Sequence, residues 1–189
     1  LVVAMVVLLA LAGCATRPIN LPITEAAPDK GYRLATRQPY FKDQESLVIL
    51  AFSGGGTRAA AFSYGVLEFL RRTEIMRASG EKIRLLDAVG VITGVSGGSF
   101  TALAYGLYGD KLFAEYEQRF LKRDVQGQIV ARTFNPGYWT RLWSPNWGRS
   151  ELAADLYDEI LFNGATYADL GRGRGPLILA SATVASTGA

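Results

Sequence analysis

Gly94-Val95-Ser96-Gly97-Gly98 stands between two patterned runs. Ala88-Val89-Gly90-Val91-Ile92-Thr93 before it has strand character, and Ser99-Phe100-Thr101-Ala102-Leu103-Ala104-Tyr105-Gly106-Leu107-Tyr108 after it has helix character. A Gly-x-Ser-x-Gly at a strand-to-helix junction has the form of a nucleophile elbow, which lifts a serine onto a sharp, strained turn. Strand and helix pass close together at such a turn, so its neighbours must be small, and Gly94 and Gly98 meet that demand. The helix that starts there directs unpaired N–H groups and a partial positive charge at any oxyanion forming nearby. The plainer reading is a glycine-rich turn carrying an incidental serine. The clean strand and helix patterns on either side favour the elbow.

A second glycine motif precedes it. Ser46-Leu47-Val48-Ile49-Leu50-Ala51-Phe52-Ser53 is another strand-like run; it leads through Gly54-Gly55-Gly56-Thr57-Arg58 into a helical stretch from Ala59 to Leu70. Consecutive glycines expose backbone N–H groups with no side chains in the way, which is what stabilising a developing oxyanion requires. Gly54, Gly55 and Gly56, with Gly97 of the elbow, are therefore the candidate oxyanion-hole residues. Arg58 is placed to brace the loop or to hold an anionic group. Residues 54–59 also fit the dinucleotide fingerprint G-x-G-x-x-A. That fingerprint wants an acid at the end of the next strand, whereas Asp87 precedes the strand and the Ser96 turn follows it. No Gly-Lys-Ser/Thr follows the glycines, so a phosphate-binding P-loop is disfavoured, and a bare glycine turn remains the structural alternative.

The chain has 0 His. A Ser-His-Asp triad cannot be assembled from these residues, which argues against typical α/β-hydrolases and trypsin-like enzymes. A carboxylate, a lysine or a group from outside the chain must take the serine proton.

The two motifs, in this order and context, resemble the patatin-like phospholipases. The resemblance runs from about Ser46 to the end, with Pro176-Leu177-Ile178-Leu179-Ala180-Ser181-Ala182-Thr183 similar to the next core strand of that family. It implies a serine lipid acyl hydrolase with a Ser–Asp dyad, Ser96 as nucleophile, a phospholipid or lysophospholipid ester as substrate, and no metal or redox cofactor. The family's aspartate lies in an Asp-Gly turn, and no aspartate here is followed by glycine. The sequence is accordingly expected to be the amino-terminal part of a longer protein whose catalytic aspartate lies beyond Ala189. Asp155, Asp158 and Asp169 are internal candidates, the first two in a helical pattern that reads as structural. A non-catalytic, membrane-anchored lipid-binding lipoprotein with the same fold is the alternative.

Strands alternating with helices predict an α/β fold, a three-layer sandwich around a mostly parallel sheet with catalytic turns at the strands' carboxyl ends. At 189 residues, 49% hydrophobic, the chain suffices for one substantial domain, and a net charge of +3 without a basic–aromatic patch gives no sign of nucleic-acid binding. Gly171-Arg172-Gly173-Arg174-Gly175-Pro176 reads as a solvated loop before a strand.

Residues 1–13 are almost wholly apolar and end in Leu11-Ala12-Gly13-Cys14, with Cys14 the single cysteine. The run is short for a membrane span and suits the apolar region of a secretory signal. Its ending resembles a bacterial lipobox, which implies lipidation of Cys14 and a lipid-anchored protein of the bacterial cell envelope, on the outer membrane or the periplasmic face of the inner membrane. The positive n-region is missing and residue 1 is not methionine, so the segment reads as incomplete. Residues 14–45, with Pro18, Pro22, Pro28 and Pro39, read as a tether and lead-in to a hydrolase domain from 46 to 189.

Leu112, Phe113, Tyr116 and Phe120 predict one helical stripe over 110–121, and Ser150 an N-cap for a helix over 151–162 stopped by Asn163-Gly164. Between Phe134 and Trp147 lie all 3 Trp of the chain. Two readings stand for these rings: a lid near a lipid site, or gap-fillers between helices, the latter preferred as the plainer.

Overall fold

The computed structural model describes residues 25, 27, 29–37, 47–173 and 175–183. The signal segment 1–13, Cys14, most of the tether, Arg174 of the glycine run and residues 184–189 lie outside the described residues. In chain order the elements are α1 (Leu34–Arg37), β1 (Val48–Phe52), α2 (Gly56–Arg72), β2 (Glu74–Met76), β3 (Lys82–Arg84), β4 (Val89–Val95), α3 (Gly97–Tyr108), α4 (Leu112–Tyr116), α5 (Val125–Phe134), α6 (Pro136–Leu142), α7 (Arg149–Tyr157), α8 (Tyr167–Arg172) and β5 (Leu177–Ser181). Contacts divide the described residues into two compact units, one made of those within 27–121 and 165–183 and the other of 122–164.

In the larger unit β1, β4 and β5 form a parallel sheet in the order β1-β4-β5, with Phe52 opposite Gly94 and Val95 opposite Ser181. Helices flank this sheet, so the fold class is the expected α/β. β4 is central and rich in β-branched residues, and from Val89 to Ile92 every residue is buried, as for a strand covered on both faces. On α2, Ala60, Tyr64, Leu67 and Leu70 recur at helical spacing and are buried. α3 approaches β5 closely: a Cβ on Gly106 would stand 2.6 Å from Ile178 and 2.8 Å from Leu170. Between α2 and β4 the chain makes an antiparallel β2–β3 hairpin, which has no counterpart in the sequence expectations.

A buried hydroxyl chain joins three helices. Thr101 Oγ1 donates to the Ala60 carbonyl at 3.0 Å and lies 2.8 Å from the Tyr116 hydroxyl. A hydroxyl has one proton to give. Thr101 gives its own to Ala60, so Tyr116 donates to Thr101.

The helix expected over 110–121 is broken into a 3-10 turn (Gly109–Lys111), α4 and a π turn (Glu117–Leu121). Gly109, at φ 53, separates the two helical runs read from the sequence, and the winding changes on either side of α4. Its core stripe survives, with Leu112, Tyr116 and Phe120 buried.

In the smaller unit, Val125, Trp147, Leu152, Leu156, Ile160 and Leu161 are buried. The N-cap of α7 is Gly148 and not Ser150, because the Glu151 carboxylate reaches back to accept the Gly148 N–H at 2.9 Å. The expected stop holds: a π turn (Asp158–Phe162) ends at Asn163, which takes the left-handed conformation that asparagine tolerates.

Candidate active site

Ser96 occupies the tight turn between β4 and α3 at φ 49, ψ −119. Among the described residues only Ser96 and Asn163 have positive φ without being glycine. Asn163 sits in the ordinary left-handed well, whereas Ser96 does not. Such backbone costs about 1–3 kcal/mol and persists only where the surroundings impose it. Here the surroundings are glycines. A Cβ on Gly94 would stand 2.7 Å from the Ser99 backbone, and one on Gly98 would stand 2.7 Å from the Ser53 carbonyl oxygen. The strand and helix can turn this sharply because neither position carries a side chain.

β1 and β4 are hydrogen-bonded neighbours, so the Gly54-Gly55-Gly56 loop leaves the sheet beside the Ser96 turn, both at the carboxyl ends of their strands. The two turns touch. A Cβ on Gly97 would run into the Gly56 carbonyl oxygen, and one on Gly54 would lie 3.4 Å from Ser96 Cβ. Gly55 is the N-cap of α2 at φ 141, and Gly56 opens that helix at φ 63, conformations that L side chains rarely adopt. Two helix N-termini, those of α2 and α3, therefore start next to Ser96. The first N–H groups of a helix have no partner within it and carry partial positive charge. Ser96 and Gly54 to Arg58 are exposed, so an incoming carbonyl can reach the hydroxyl. Arg58 lies in the first turn of α2.

The structure thus brings together Ser96, Gly94, Gly97 and Gly98 with Gly54, Gly55 and Gly56. The internal aspartates serve elsewhere. Asp155 faces Arg141 at 3.6 Å, and Asp158 accepts the Gly164 N–H at 2.7 Å. Asp169 accepts the N–H and hydroxyl of Thr166, both at 2.8 Å, and pairs with Arg172. The Thr166 hydrogen bonds, more than Arg172, hold the Asp169 carboxyl below its usual range, which makes it a weak proton acceptor. Among the described residues no cluster of His, Cys, Asp or Glu could hold a metal ion. The sequence reading missed Ser99: its hydroxyl is buried without a hydrogen-bond partner one helical turn past Ser96.

The family model for patatin-like phospholipase matches residues 50–177, two thirds of the chain. The chain belongs to the patatin-like phospholipase family. Comparison with curated proteins and with solved structures found no match. The patatin-like match begins within β1 and ends at the first residue of β5, so it spans both glycine turns and the strands that present them. Family membership implies lipid acyl hydrolase activity in general.

Proposed function

We propose that the protein is a serine lipid acyl hydrolase that cleaves carboxylic esters of phospholipids or lysophospholipids through a Ser–Asp dyad. The observation that carries this reading is Ser96, held in strained backbone between two helix N-termini. A binding module gains nothing from that strain, whereas a nucleophile gains exposure and orientation. The Ser96 hydroxyl attacks the ester carbonyl carbon, and its proton passes to a carboxylate. N–H groups of Gly55, Gly56 and Gly97 stabilise the tetrahedral oxyanion, with Gly54 keeping the loop clear. Collapse expels the alcohol, which takes up the proton and leaves an acyl group on Ser96. Water then attacks the acyl carbon as the carboxylate accepts its proton, the bond from the Ser96 oxygen to that carbon breaks, the proton returns to the Ser96 oxygen, and the fatty acid is released.

The carboxylate belongs, in this reading, to an aspartate in an Asp-Gly turn outside these 189 residues. Asp155, Asp158 and Asp169 are each engaged locally, which supports that assignment. The leader and lipobox pattern supports lipidation at Cys14 and attachment to the bacterial cell envelope; among the described residues no helix is long and apolar enough to cross a membrane.

The test is product analysis with protein made from the complete coding region. Phospholipid in heavy-oxygen water should yield labelled fatty acid with every phosphodiester intact, and mass spectrometry should find an acylated Cys14. Release of a phosphorylated head group would contradict the ester assignment, and an unmodified mature Cys14 would end the anchor.

A further inference from the structure

Ser99 carries a buried hydroxyl that the acyl-transfer steps leave unused. Its Oγ has no hydrogen-bond partner among the described residues, and a buried hydroxyl left that way is costly. A helical serine ordinarily gives its proton to the carbonyl four residues back, as Ser63 does to Ala59 at 2.8 Å. Ser99 does not. Four residues back is Val95, at the end of β4, whose carbonyl oxygen lies toward the glycine loop, 3.6 Å from where a Gly54 Cβ would stand. Three back is Ser96, whose carbonyl takes the Ser99 N–H at 2.9 Å. The strained turn that presents the nucleophile thus also frees the Ser99 hydroxyl.

Helix geometry says on which side of the nucleophile this hydroxyl stands. Gly98 of α3 packs against β1, since a Cβ there would stand 2.7 Å from Phe52 and from the Ser53 carbonyl oxygen. Gly106 packs against β5, at Ile178. Ser99 precedes Gly106 by seven residues, about two turns of helix, and so shares its side. The Ser99 backbone rests over Gly94, whose register partner on β5 is Ala180. Ser99 therefore faces the carboxyl end of β5, whereas the glycine loop with the proposed oxyanion donors stands on the β1 side. A base for the Ser96 proton has to approach from the side those donors leave open. From Val48 to Ala59, Val89 to Leu103 and Leu177 to Thr183, the stretches that build this end of the sheet, the only ionisable side chain is Arg58. A buried hydroxyl donor on that open side matches one oxygen of a carboxylate whose other oxygen serves Ser96. We propose that Ser99 is the positioning residue for the catalytic carboxylate, its hydroxyl donating to that group and holding it ionised and aimed at Ser96. The proposal rests on the Ser–Asp reading above and deepens it by naming the group that orients the base.

The test uses protein from the complete coding region and the pH dependence of kcat/KM for a water-soluble ester, whose acid limb reports the base of the free enzyme. A hydrogen bond to the charged form lowers a carboxyl pKa, so removing the donor raises it. Ser99→Ala should move the acid limb up by about one pH unit and lower kcat at the plateau by about tenfold, with KM little changed, as the loss of a bond to a charged group implies. Ser99→Thr, which keeps the hydroxyl, should return the limb toward the parent position. Ser99→Cys, a weak donor of similar size, should fall between. Circular dichroism and thermal unfolding show which variants are folded. An acid limb unmoved in folded Ser99→Ala would overturn the proposal, whatever happens to the plateau, because the hydroxyl would then serve only packing or a buried water. A limb that moves equally in all three variants would overturn it too, since the hydroxyl would not be the cause. Should Ser99→Ala not fold, the Ser99→Cys limb decides alone: raised, it supports the proposal, and unmoved, it overturns it. A parent that is inactive on the ester, or that lacks an acid limb in the carboxylate range, would count against the Ser–Asp reading itself and take this proposal with it.

Discussion

A Cβ on Gly97 would overlap the carbonyl oxygen of Gly56. That contact holds the glycine loop after β1 against the turn after β4, so Gly55, Gly56 and Gly97, whose N–H groups are the proposed oxyanion donors, stand as one group beside Ser96. Rigid, preoriented donors are what make such a group effective, because nothing needs to reorganise as charge develops.

A graded series of substitutions follows. Gly97→Ala should push the two turns apart and lower kcat/KM for a soluble ester by about 10²-fold or more, the usual effect of losing one oxyanion donor. Gly54→Ala meets Ser96 Cβ at 3.4 Å, an ordinary contact, and should lose less than about tenfold. Ester kinetics on both variants, with thermal unfolding as the folding control, check the order. Equal losses would show that the Gly97–Gly56 contact is not the constraint.

The Thr101 hydroxyl links the helix that follows Ser96 to its neighbours. Thr101→Val keeps the shape but leaves the buried Tyr116 hydroxyl without its acceptor and Ala60 without its donor. Denaturant unfolding should show a loss of about 1–3 kcal/mol. Tyr116→Phe in the same background should recover part of that loss, because it removes the stranded hydroxyl.

Alkaline pH should unfold the protein through its buried phenols. Burial first, then the Asp110 and Asp87 charges, pushes the Tyr105 hydroxyl up to about 12, and burial also raises Tyr116. In the unfolded chain both ionise near about 10. Above that pH the unfolded state binds fewer protons than the folded one, so stability present below about pH 10 is lost as pH rises through the folded value. Unfolding midpoints measured against pH should therefore fall between about 10 and about 12. Tyr105→Phe with Tyr116→Phe should flatten the fall; an unchanged slope would place its origin elsewhere.

The strands β1, β4 and β5 and both glycine turns were legible because each is a short apolar run followed by residues that only a tight turn needs. What the sequence concealed depends on distant partners. Arg37 lies in a stretch read as tether, yet its guanidinium is buried and donates to the Gly173 carbonyl at 2.6 Å, and also to the Gly175 carbonyl. Tyr32 takes the Ile178 N–H at 2.6 Å. Nothing local to residues 32–37 announces that they anchor β5 and the loop before it. The 3-10 and π turns around α4 and the Gly148 cap escaped for a similar reason: hydrophobic periodicity reports which face is buried, not where the backbone changes its winding. The aromatic segment escaped because composition does not say which ring of several faces water: Trp147 is buried, whereas Trp139 and Trp143 are exposed.

The most direct measurement is mass spectrometry of protein from the complete coding region after reaction with a fluorophosphonate, which phosphonylates an activated serine. The account predicts a single adduct, located on Ser96, that disappears in Ser96→Ala while the variant stays folded. An adduct on another serine, or labelling undiminished in Ser96→Ala, would contradict the assignment of Ser96 as nucleophile.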